Sequence, residues 1–402
     1  MKFNDIIQYI ELAAKRHPDK IAIVDHLGDT LTYTQVVERM RECQPLPLPL
    51  LGQSWTGDFH LTTTGTTGRH KTVVIPQRAV IANTENLMAS HPYDEHTAFV
   101  ICGELTHLGN WSKIFPTLFC GGTIILVESI KDINRFYEAL DYPSTHTLDA
   151  SLPRGDVRLA TFLVPANLRL LMQYSAERLA AHAQTISFIE TGAAPISRDD
   201  MQRLCSLLPH TRLFNTYAST ETGILCTYDF NDHICKSHCV GRPLPNAQVH
   251  ITPEGRIAAR GETLMTGYLD DSELTNTVLV DGTLTTSDTG YFDDEGMLHI
   301  QGRSDDILNV GGYKVNPIEV EQAALTHPDI ADCICTTTSH PVLGPILKLI
   351  LQMKPEAELD KRQIAHYLLE RLERYKVPQL YEQVPSIKRT FNGKLDRKYY
   401  KD

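Results

Sequence analysis

The chain has 402 residues, of which 42% are hydrophobic and 22% charged, and this composition is typical of a globular protein with two or more domains. A formal net charge of −11 and the lack of any Lys/Arg-rich block argue against a nucleic-acid-binding surface. No apolar run reaches membrane-spanning length, and the N-terminal residues lack a signal-peptide core.

The cysteines predict a reducing environment. There are nine of them, an odd number scattered along the chain, which favours thiols over a disulfide framework and therefore a cytoplasmic location. Four metal-type side chains lie close together at His233, Cys235, His238 and Cys239. Their spacing matches no common structural zinc pattern, so we predict no zinc site there.

The first sixty residues predict two helices and two short strands. Asn4 or Asp5 is placed to cap a helix that runs to Arg16, whose apolar residues recur at helical spacing. Strands are predicted at 21–24 and 31–33 and a second helix at 34–43. Alternating prolines at 44–49 predict an extended connector.

The segment from Thr62 to Lys71 is the most unusual part of the chain. It reads Thr-Thr-Thr-Gly-Thr-Thr-Gly-Arg-His-Lys and lies between predicted strands at 58–62 and 72–75. Its glycines allow backbone N–H groups to turn towards a phosphate, its hydroxyls add donors, and its lysine supplies positive charge. Gly68 and Lys71 are not adjacent and no helix follows, so it is not the P-loop of an NTPase. Taken alone, the segment is equally consistent with a polar hairpin turn.

Strands and helices then alternate, which indicates an α/β domain with a buried, largely parallel sheet. The predicted helices are at 77–90, 111–119 and 166–183, and the predicted strands are at 98–102, 123–127, 159–164 and 185–189. Frequent Gly, Pro and Asp turns from 241 to 299 predict a β-rich subdomain. The last hundred residues predict a small α+β unit with helices at 317–325 and 359–375 and strands at 330–336 and 346–353.

Four further segments carry chemistry-bearing residues in a fixed order. They are Glu-Thr-Gly-Ala-Ala-Pro at 190–195, Asn-Thr-Tyr-Ala-Ser-Thr-Glu-Thr-Gly at 215–223, Ser-Asp-Thr-Gly-Tyr and Gly-Arg-Ser-Asp-Asp within 287–306, and Asn-Gly-Lys-Leu-Asp-Arg at 392–397. Each alone is weak, because Asp-Gly and Asn-Gly pairs are mostly plain turns. In this order, however, they resemble the adenylate-forming superfamily of acyl- and aryl-CoA synthetases, adenylation domains and luciferases.

The resemblance covers essentially the whole chain. It implies a large N-terminal domain, residues 1–302, and a small mobile C-terminal domain, residues 303–402. The chain departs from the family before Thr62, where a short proline-rich stretch replaces a much longer α/β region. That shortening bears on the completeness of the sheet, and a partner subunit such as a second copy of the chain is one way to cover the surface it leaves.

The resemblance also implies a role for each matching residue. The residues that would bind ATP or AMP are Thr63, Thr64, Gly65, Thr66, Thr67, Gly68, Lys71, Gly192, Ala193, Ala194, Asn215, Tyr217, Asp288 and Arg303. Among these, the loop would grip pyrophosphate, Tyr217 would stack on adenine and Asp288 would bind the ribose hydroxyls. Thr220 would contact the α-phosphate, Glu221 would hold Mg²⁺, and Lys394 would be the catalytic lysine. Asp305 matches the hinge between the domains.

The physics of adenylation agrees with these roles. A carboxylate that attacks the α-phosphate of ATP brings two anions together, so neutralising charge is the main catalytic task. A carboxylate is already ionised at neutral pH and needs no general base. In the second step Gly311, Gly312 and Tyr313 would admit the pantetheine arm of CoA or of a carrier protein, because glycines permit close approach to backbone. A tight Gly-Gly hairpin turn is the alternative interpretation of that segment.

The substrate is expected to be a carboxylic acid, aliphatic or aromatic, without an α-amino group. His107 resembles the family's histidine at the acyl pocket, formed with Gly192 and Ala193, or is an ordinary packed histidine. The Asp that pairs a substrate ammonium in amino-acid-activating members is absent there, and an unpaired ammonium is costly to bury. We expect an apolar pocket in which Glu104 is the one nearby carboxylate. The alternatives are an enzyme that loads an acyl carrier protein and a non-catalytic ligand-binding homologue.

Overall fold

The computed structural model describes residues 3–48, 55, 57–64, 70–151, 156–231, 234–390 and 395–400. The chain forms two compact units. The first comprises Met1–His250, Ala258–Thr286 and Phe292–Leu298, and the second comprises Ile251–Ile257, Ser287–Tyr291 and His299–Asp402. The domain change predicted after residue 302 stays a prediction. Within the described ranges, no helix combines the length and the apolar character that crossing a membrane requires.

The first unit contains a large, mostly parallel sheet. The strands of this unit up to residue 243 are β1 (Ile21–Val24), β2 (Thr30–Thr32), β3 (Phe59–Thr64), β4 (His70–Ile75), β5 (Thr97–Cys102), β6 (Thr123–Val127), β7 (Arg158–Phe162), β8 (Ile186–Gly192), β9 (Arg212–Ser219), β10 (Gly223–Asp229) and β11 (Cys239–Pro243), and all but β3 and β4 belong to the large sheet. The strand order is β11-β10-β9-β8-β7-β5-β6-β1-β2. Along this order, the neighbouring strands from β9 to β1 pair in parallel. Strands β2, β10 and β11 pair antiparallel with their neighbours. The predicted α/β class is confirmed.

Helices cover this sheet. They are α1 (Ile6–Arg16), α2 (Tyr33–Arg41), α3 (Gln77–Ser90), α4 (Leu108–Trp111), α5 (Ile114–Cys120), α6 (Ile133–Thr145), α7 (Pro165–Tyr174), α8 (Ala176–Ala181), α9 (Arg198–Leu207) and α10 (Ser272–Val278). Asp5 caps α1, since its side chain accepts a hydrogen bond from the Ile7 N–H at 2.9 Å. Every residue of β5 is buried, as expected for a strand covered on both faces.

Two predicted helices are each split in the structure. The helix predicted at 166–183 breaks into α7 and α8 at Ser175, whose φ of −149° leaves the helical region. The Ser175 hydroxyl donates to the Leu171 carbonyl at 3.1 Å and accepts from Tyr137 at 2.9 Å, so side-chain hydrogen bonds compete with the helix there. The helix predicted at 111–119 is replaced by α4 and α5, and α6 and α9 were not predicted.

The predicted β-rich region is confirmed. It holds β12 (Ala247–Ile251), β13 (Arg256–Gly261), β14 (Gly267–Tyr268), β15 (Leu279–Val280), β16 (Thr283–Phe292) and β17 (Leu298–Arg303). Four of these strands follow each other in the order β12-β13-β16-β17, and β14 instead joins β4 and β3 in a separate small sheet. That small sheet carries one side of the candidate site.

The second unit is a small α+β body. A 3-10 helix at Ser304–Asp306 precedes β18 (Leu308–Val310), β19 (Tyr313–Val315), α11 (Pro317–Leu325), β20 (Ile330–His340), β21 (Gly344–Met353), α12 (Lys361–Leu369) and β22 (Leu380–Gln383). Strands β20 and β21 are antiparallel and β21 and β22 are parallel. The helix predicted at 359–375 is shorter than expected and ends at Leu369. No disulfide joins the nine cysteines, all of which lie in described parts of the chain.

Candidate active site

Two paired strands flank the threonine–glycine segment. Strands β3 and β4 pair antiparallel with Thr63 opposite Lys71, which confirms the strands predicted on either side of it. The predicted site residues Gly65, Thr66, Thr67 and Gly68 lie outside the described residues, as does the side chain of Thr64. Lys71 therefore stands at the base of the segment, on the strand that leads away from it.

Tyr268 brings two predicted site residues together. The Lys71 Nζ lies 5.2 Å from the centroid of the Tyr268 ring, and the Tyr268 hydroxyl donates a hydrogen bond to Glu221 Oε1 at 3.0 Å. The tyrosine reaches this position because β14 pairs with β4, with Tyr268 opposite Val73. Tyr268 was not predicted to belong to the site, since it lies 47 residues from Glu221 and outside the segments that resemble the family. The two predicted phosphate-handling charges are thus bridged by one aromatic ring.

The turn that carries Thr220 and Glu221 is held by α3. It joins β9 to β10, and the Asn83 Oδ1 accepts a hydrogen bond from the Ile224 N–H at 2.6 Å. Gly223 follows with a φ of 67°, and a Cβ there would lie 2.4 Å from Asn83 Oδ1. Only glycine satisfies both the left-handed backbone and the close approach. The chain therefore holds Glu221 in a rigid turn.

The small-residue segment at 190–195 begins in the last three residues of β8, which pair with β9. Gly192 lies opposite Thr216, and a Cβ on Gly192 would lie 2.6 Å from the Thr216 carbonyl oxygen. Ala193 adopts a left-handed φ of 65°, which is unusual for a residue with a side chain, and Ala194 follows it. Because β8 and β9 are parallel, the segment and Tyr217 lie at the same edge of the sheet, where α/β proteins bind ligands.

Asn215 has a structural role in addition to the predicted one. It is 6% exposed on β9, and its side-chain Nδ2 donates to the Cys239 carbonyl at 2.9 Å. Its contact with ATP stays a prediction.

A cluster of buried ionisable groups lies next to the small-residue segment. The Lys113 Nζ lies 2.7 Å from Glu190 Oε1, and both residues are 1% exposed. The His91 Nε2 lies 3.5 Å from the other carboxylate oxygen, Oε2. Burial lowers the pKa of Lys113 against the opposing effect of Glu190, and burial lowers the pKa of His91 to about 4. At neutral pH His91 is uncharged, and the lysine and glutamate form an ion pair without net charge.

This cluster corrects the description of the acyl pocket. Sequence analysis named Glu104 as the one nearby carboxylate, but Glu104 is exposed and accepts a hydrogen bond from the Thr106 hydroxyl at 3.1 Å. Glu190 is a second carboxylate, within the small-residue segment itself. Its pairing with Lys113 could not be predicted from a local pattern, because the two residues are 77 positions apart in the sequence. His107 lies immediately before α4, and its carbonyl accepts from the Trp111 N–H at 2.9 Å.

Asp288 and Arg303 lie side by side, as predicted, and both belong to the second unit. The Arg303 Nε is 3.7 Å from Asp288 Oδ1, and its NH2 donates to the Ser287 hydroxyl at 3.0 Å. The same guanidinium lies 3.8 Å from the carboxylate of Asp305, in the 3-10 turn Ser304–Asp306. The predicted ribose and hinge residues are therefore linked by one arginine.

The glycine pair at 311–312 forms the two-residue turn between β18 and β19. Gly311 and Gly312 have φ values of 56° and 86°, the backbone that such hairpin turns demand. Among the residues that the structure describes, no heavy atom beyond the chain neighbours lies within 4 Å of the Cβ position at either glycine. Tyr313 stacks on Tyr375 with ring centroids 4.6 Å apart. The hairpin turn suggested by the sequence is therefore present, and the space around both glycines is compatible with the predicted thiol channel.

The predicted catalytic Lys394 lies outside the described residues, but its neighbour Arg397 does not. The Arg397 guanidinium binds Glu321 in a bidentate manner, at 2.6 and 2.8 Å, and its Nε lies 3.5 Å from Asp306. Burial works against the charge on Arg397, but Glu321 outweighs it and raises the pKa of the guanidinium. A buried ion pair therefore fixes the chain three residues after Lys394.

Comparisons with known proteins agree on one family. The model of the AMP-binding enzymes matches residues 59–269, and the model of the AMP-binding enzyme C-terminal domain matches residues 319–394. A 2-succinylbenzoate–CoA ligase from Staphylococcus epidermidis is 28% identical over 351 residues, which is 84% of this chain and 68% of the relative. The 4-coumarate–CoA ligase-like protein 6 of Arabidopsis thaliana is 25% identical over 375 residues, covering 89% of this chain and 64% of the relative.

The chain is shorter than these relatives. It spans about two-thirds of their length, and 62% of a substituted propanoyl–CoA ligase from Rhodococcus jostii. Among solved structures, it is similar to the o-succinylbenzoate CoA synthetase of Bacillus subtilis in complex with an acyl-adenylate, with a TM-score of 0.79 and 19% identity. That match covers 98% of each chain and shows a shared fold.

Proposed function

Because this chain belongs to the AMP-binding enzymes, the adenylate-forming superfamily, we propose that it activates a carboxylic acid with ATP and transfers the acyl group to a thiol. The acid would form an acyl-adenylate with release of pyrophosphate, and CoA would then accept the acyl group. The observation that carries this proposal is the Lys71–Tyr268–Glu221 bridge, which supports phosphate handling at one place in the first unit.

The charges of the site suit the first step. Lys71 would supply a cation to the leaving pyrophosphate, and Lys394 would supply another to the reacting phosphate. Glu221 fits a magnesium ion, because carboxylate oxygens are the ligands that Mg²⁺ prefers and the Tyr268 hydroxyl orients this one. When bound, the ion would neutralise phosphate charge. Thr220, beside Glu221 in the same turn, would donate its hydroxyl to the α-phosphate.

The acid is proposed to be aliphatic or aromatic. The buried carboxylate of Glu190 is neutralised by Lys113 at 2.7 Å, so it offers no fixed anion to a substrate ammonium. Burying an unpaired polar group costs on the order of 2–7 kcal/mol, which disfavours α-amino acids.

Acid-dependent exchange of pyrophosphate into ATP tests the first step. We expect exchange with benzoate-like or medium-chain acids and negligible exchange with the proteinogenic amino acids. Glu221→Gln should lose most of this activity, whereas Glu262→Gln, a control at a side chain that is 69% exposed, should keep it. Robust exchange with an amino acid would instead place the chain among carrier-loading adenylation enzymes. Exchange with no acid at all would favour a non-catalytic ligand-binding homologue.

The acceptor is tested in a second stage. Acyl-adenylate made by the enzyme is offered CoA or a carrier protein bearing phosphopantetheine, and the thioesters are measured by mass spectrometry. Because both acceptors present the same pantetheine arm to Gly311 and Gly312, only their relative rates distinguish them. We expect CoA to be the faster acceptor.

A further inference from the structure

One aromatic side chain lies between the two segments predicted to form the acyl pocket. Phe162 ends β7 and is 8% exposed. A Cβ on Gly109, two residues after His107, would lie 2.7 Å from the Phe162 Cε1 atom. A Cβ on Gly192 would lie 3.7 Å from Cε2, on the other edge of the ring. The ring therefore spans the space between the two glycine backbones.

The buried ion pair holds this ring in place. The Lys113 Nζ lies 5.2 Å from the centroid of the Phe162 ring, a cation–π distance. Glu190, which binds that ammonium at 2.7 Å, lies opposite Phe162 in the pairing of β7 with β8. The ring thus has a cation over its face and a glycine at each of two edges. Because a cation–π contact strengthens when it is desolvated, burial of Lys113 favours one orientation of the ring.

We propose that Phe162 is the specificity-determining residue that limits how large an acid the enzyme accepts. Neither Gly109 nor Gly192 has a side chain, so the ring supplies the apolar surface between them. Lys113 and Glu190 are positioning residues that act through Phe162. The acids that fit are aliphatic acids of up to medium chain length and flat single-ring aromatic acids, and long-chain fatty acids are excluded. This inference rests on the proposed function, because it assumes that an acid binds beside His107 and Gly192.

The test is a chain-length profile. ATP–pyrophosphate exchange is measured with straight-chain acids from acetate to dodecanoate and with benzoate, for the wild type and for Phe162→Ala. We expect kcat/KM for acids longer than the wild-type optimum to rise about tenfold or more, because added methylene groups discriminate by about that factor in an apolar pocket. The KM for ATP should stay within about twofold, since the ring would not touch the nucleotide.

Two variants separate specificity from stability. Phe162→Leu keeps most of the apolar volume, so it should fold even if Phe162→Ala does not. It should shift the chain-length profile in the same direction as Phe162→Ala, by a smaller factor. Phe136→Leu is the matched control, because Phe136 is a fully buried phenylalanine on α6 in another part of the same unit. It should lower the melting temperature and leave the length profile unchanged.

A second pair of variants tests the positioning residues. Lys113→Met combined with Glu190→Leu removes both charges together, so no buried charge is left alone. We expect this double variant to broaden the length profile, with a changed KM for the acid and an unchanged KM for ATP. The single variant Lys113→Arg, which keeps a cation over the ring, should retain the narrow chain-length profile of the wild type. A double variant with the wild-type profile would show that the ion pair does not position Phe162.

The outcomes distinguish a failure of this inference from a failure of the proposed function. If the wild type catalyses exchange and both Phe162 variants keep its length profile, Phe162 does not limit acid size, and the proposed function stands. If the wild type catalyses exchange with no acid, the proposed function is wrong and the inference falls with it. A wild type that already prefers dodecanoate would also overturn the inference.

Discussion

At the scale of single residues, the proposed first step depends most on Lys394. Lys394→Ala is expected to slow adenylate formation by about 10²–10³-fold, because removing one preorganised charge from a transition state has an effect of that order. Thioester formation from supplied acyl-adenylate should be unchanged, since the family resemblance assigns the lysine to the first step alone. The two half-reactions are measured separately by pyrophosphate exchange and by mass spectrometry of the thioester.

Lys388→Ala provides the control for this experiment. Lys388 lies in the same C-terminal segment, with its Nζ 5.9 Å from the ring of Tyr399, and no role in catalysis is proposed for it. The control should keep both half-reactions. Equal losses in both steps for Lys394→Ala would mean that the lysine is structural.

His91 predicts a pH dependence of stability. Its folded pKa is about 4, lowered mainly by burial, whereas an unfolded histidine titrates near 6.5. Between these values the unfolded chain binds the extra proton, so the free energy of unfolding falls as the pH drops from 6.5 towards 4. The full effect is about 3 kcal/mol at most. The charged groups that act on the pKa of His91 are Glu190, Lys113 and Arg212, and all three remain in a His91→Phe variant.

Urea unfolding at several pH values measures this effect. His91→Phe should show a flatter loss of stability between pH 6.5 and 4 than the wild type, because it has no proton to bind there. His366→Gln, at a side chain that is 79% exposed, is the control and should follow the wild-type curve. Parallel curves for His91→Phe and the wild type would contradict the prediction.

At the scale of elements, the buried pair between α11 and the C-terminal segment should stabilise the second unit. Glu321→Leu leaves the Arg397 charge without its main partner and is expected to cost about 3–5 kcal/mol. Both tryptophans, Trp55 and Trp111, belong to the first unit, so their fluorescence does not report on this change. Hydrogen exchange in β20 and β21 does, and protection there should fall.

Glu319→Gln is the matched control on the same helix. Glu319 binds Lys376 at 2.7 Å, but its side chain is 42% exposed, so the pair is worth about 0–1 kcal/mol. Hydrogen exchange should hardly change. If the two variants lose equal protection in β20 and β21, burial of the Glu321 pair does not stabilise the unit.

Elements with strong local patterns were predictable from the sequence, and elements set by distant contacts were not. Helices α3 and α11 match their predicted bounds, because turn residues and apolar periodicity mark both ends. The break at Ser175 depends on the Tyr137 hydroxyl, 38 residues away, and no local pattern encodes that contact. The site follows the same rule. Segment order indicated the nucleotide-binding motifs, whereas Tyr268, Lys113 and Phe162 join the site only through strand pairing and packing.

At the scale of the whole molecule, the proposed two-step reaction requires a change at the hinge. Asp305 lies in the 3-10 turn Ser304–Asp306, and Asp305→Pro would fix its φ and remove its N–H group. We expect adenylate to form at a nearly normal rate and transfer to the thiol to fall by about tenfold or more, because rotation is hindered. Rapid quenching with separate quantification of adenylate and thioester measures both steps.

Asp305→Ala separates backbone from side chain. It removes the carboxylate that lies 3.8 Å from Arg303 but leaves φ free, so transfer should be close to normal. If Asp305→Pro retains both steps, either the hinge lies elsewhere or no rotation is needed.

Segments of the two units alternate along the chain, and this alternation has a consequence for biosynthesis. The second unit contains Ile251–Ile257 and Ser287–Tyr291, which are synthesised before the stretch Phe292–Leu298 that completes the first unit. Their remaining partners, His299–Asp402, are translated last. At about 5–20 residues per second, those roughly one hundred residues take on the order of 5–20 s to emerge. Strand β16 already pairs with β13 by then, but its other edge stays open until β17 (Leu298–Arg303) emerges, so a strand edge made early is covered only by chain that is synthesised later.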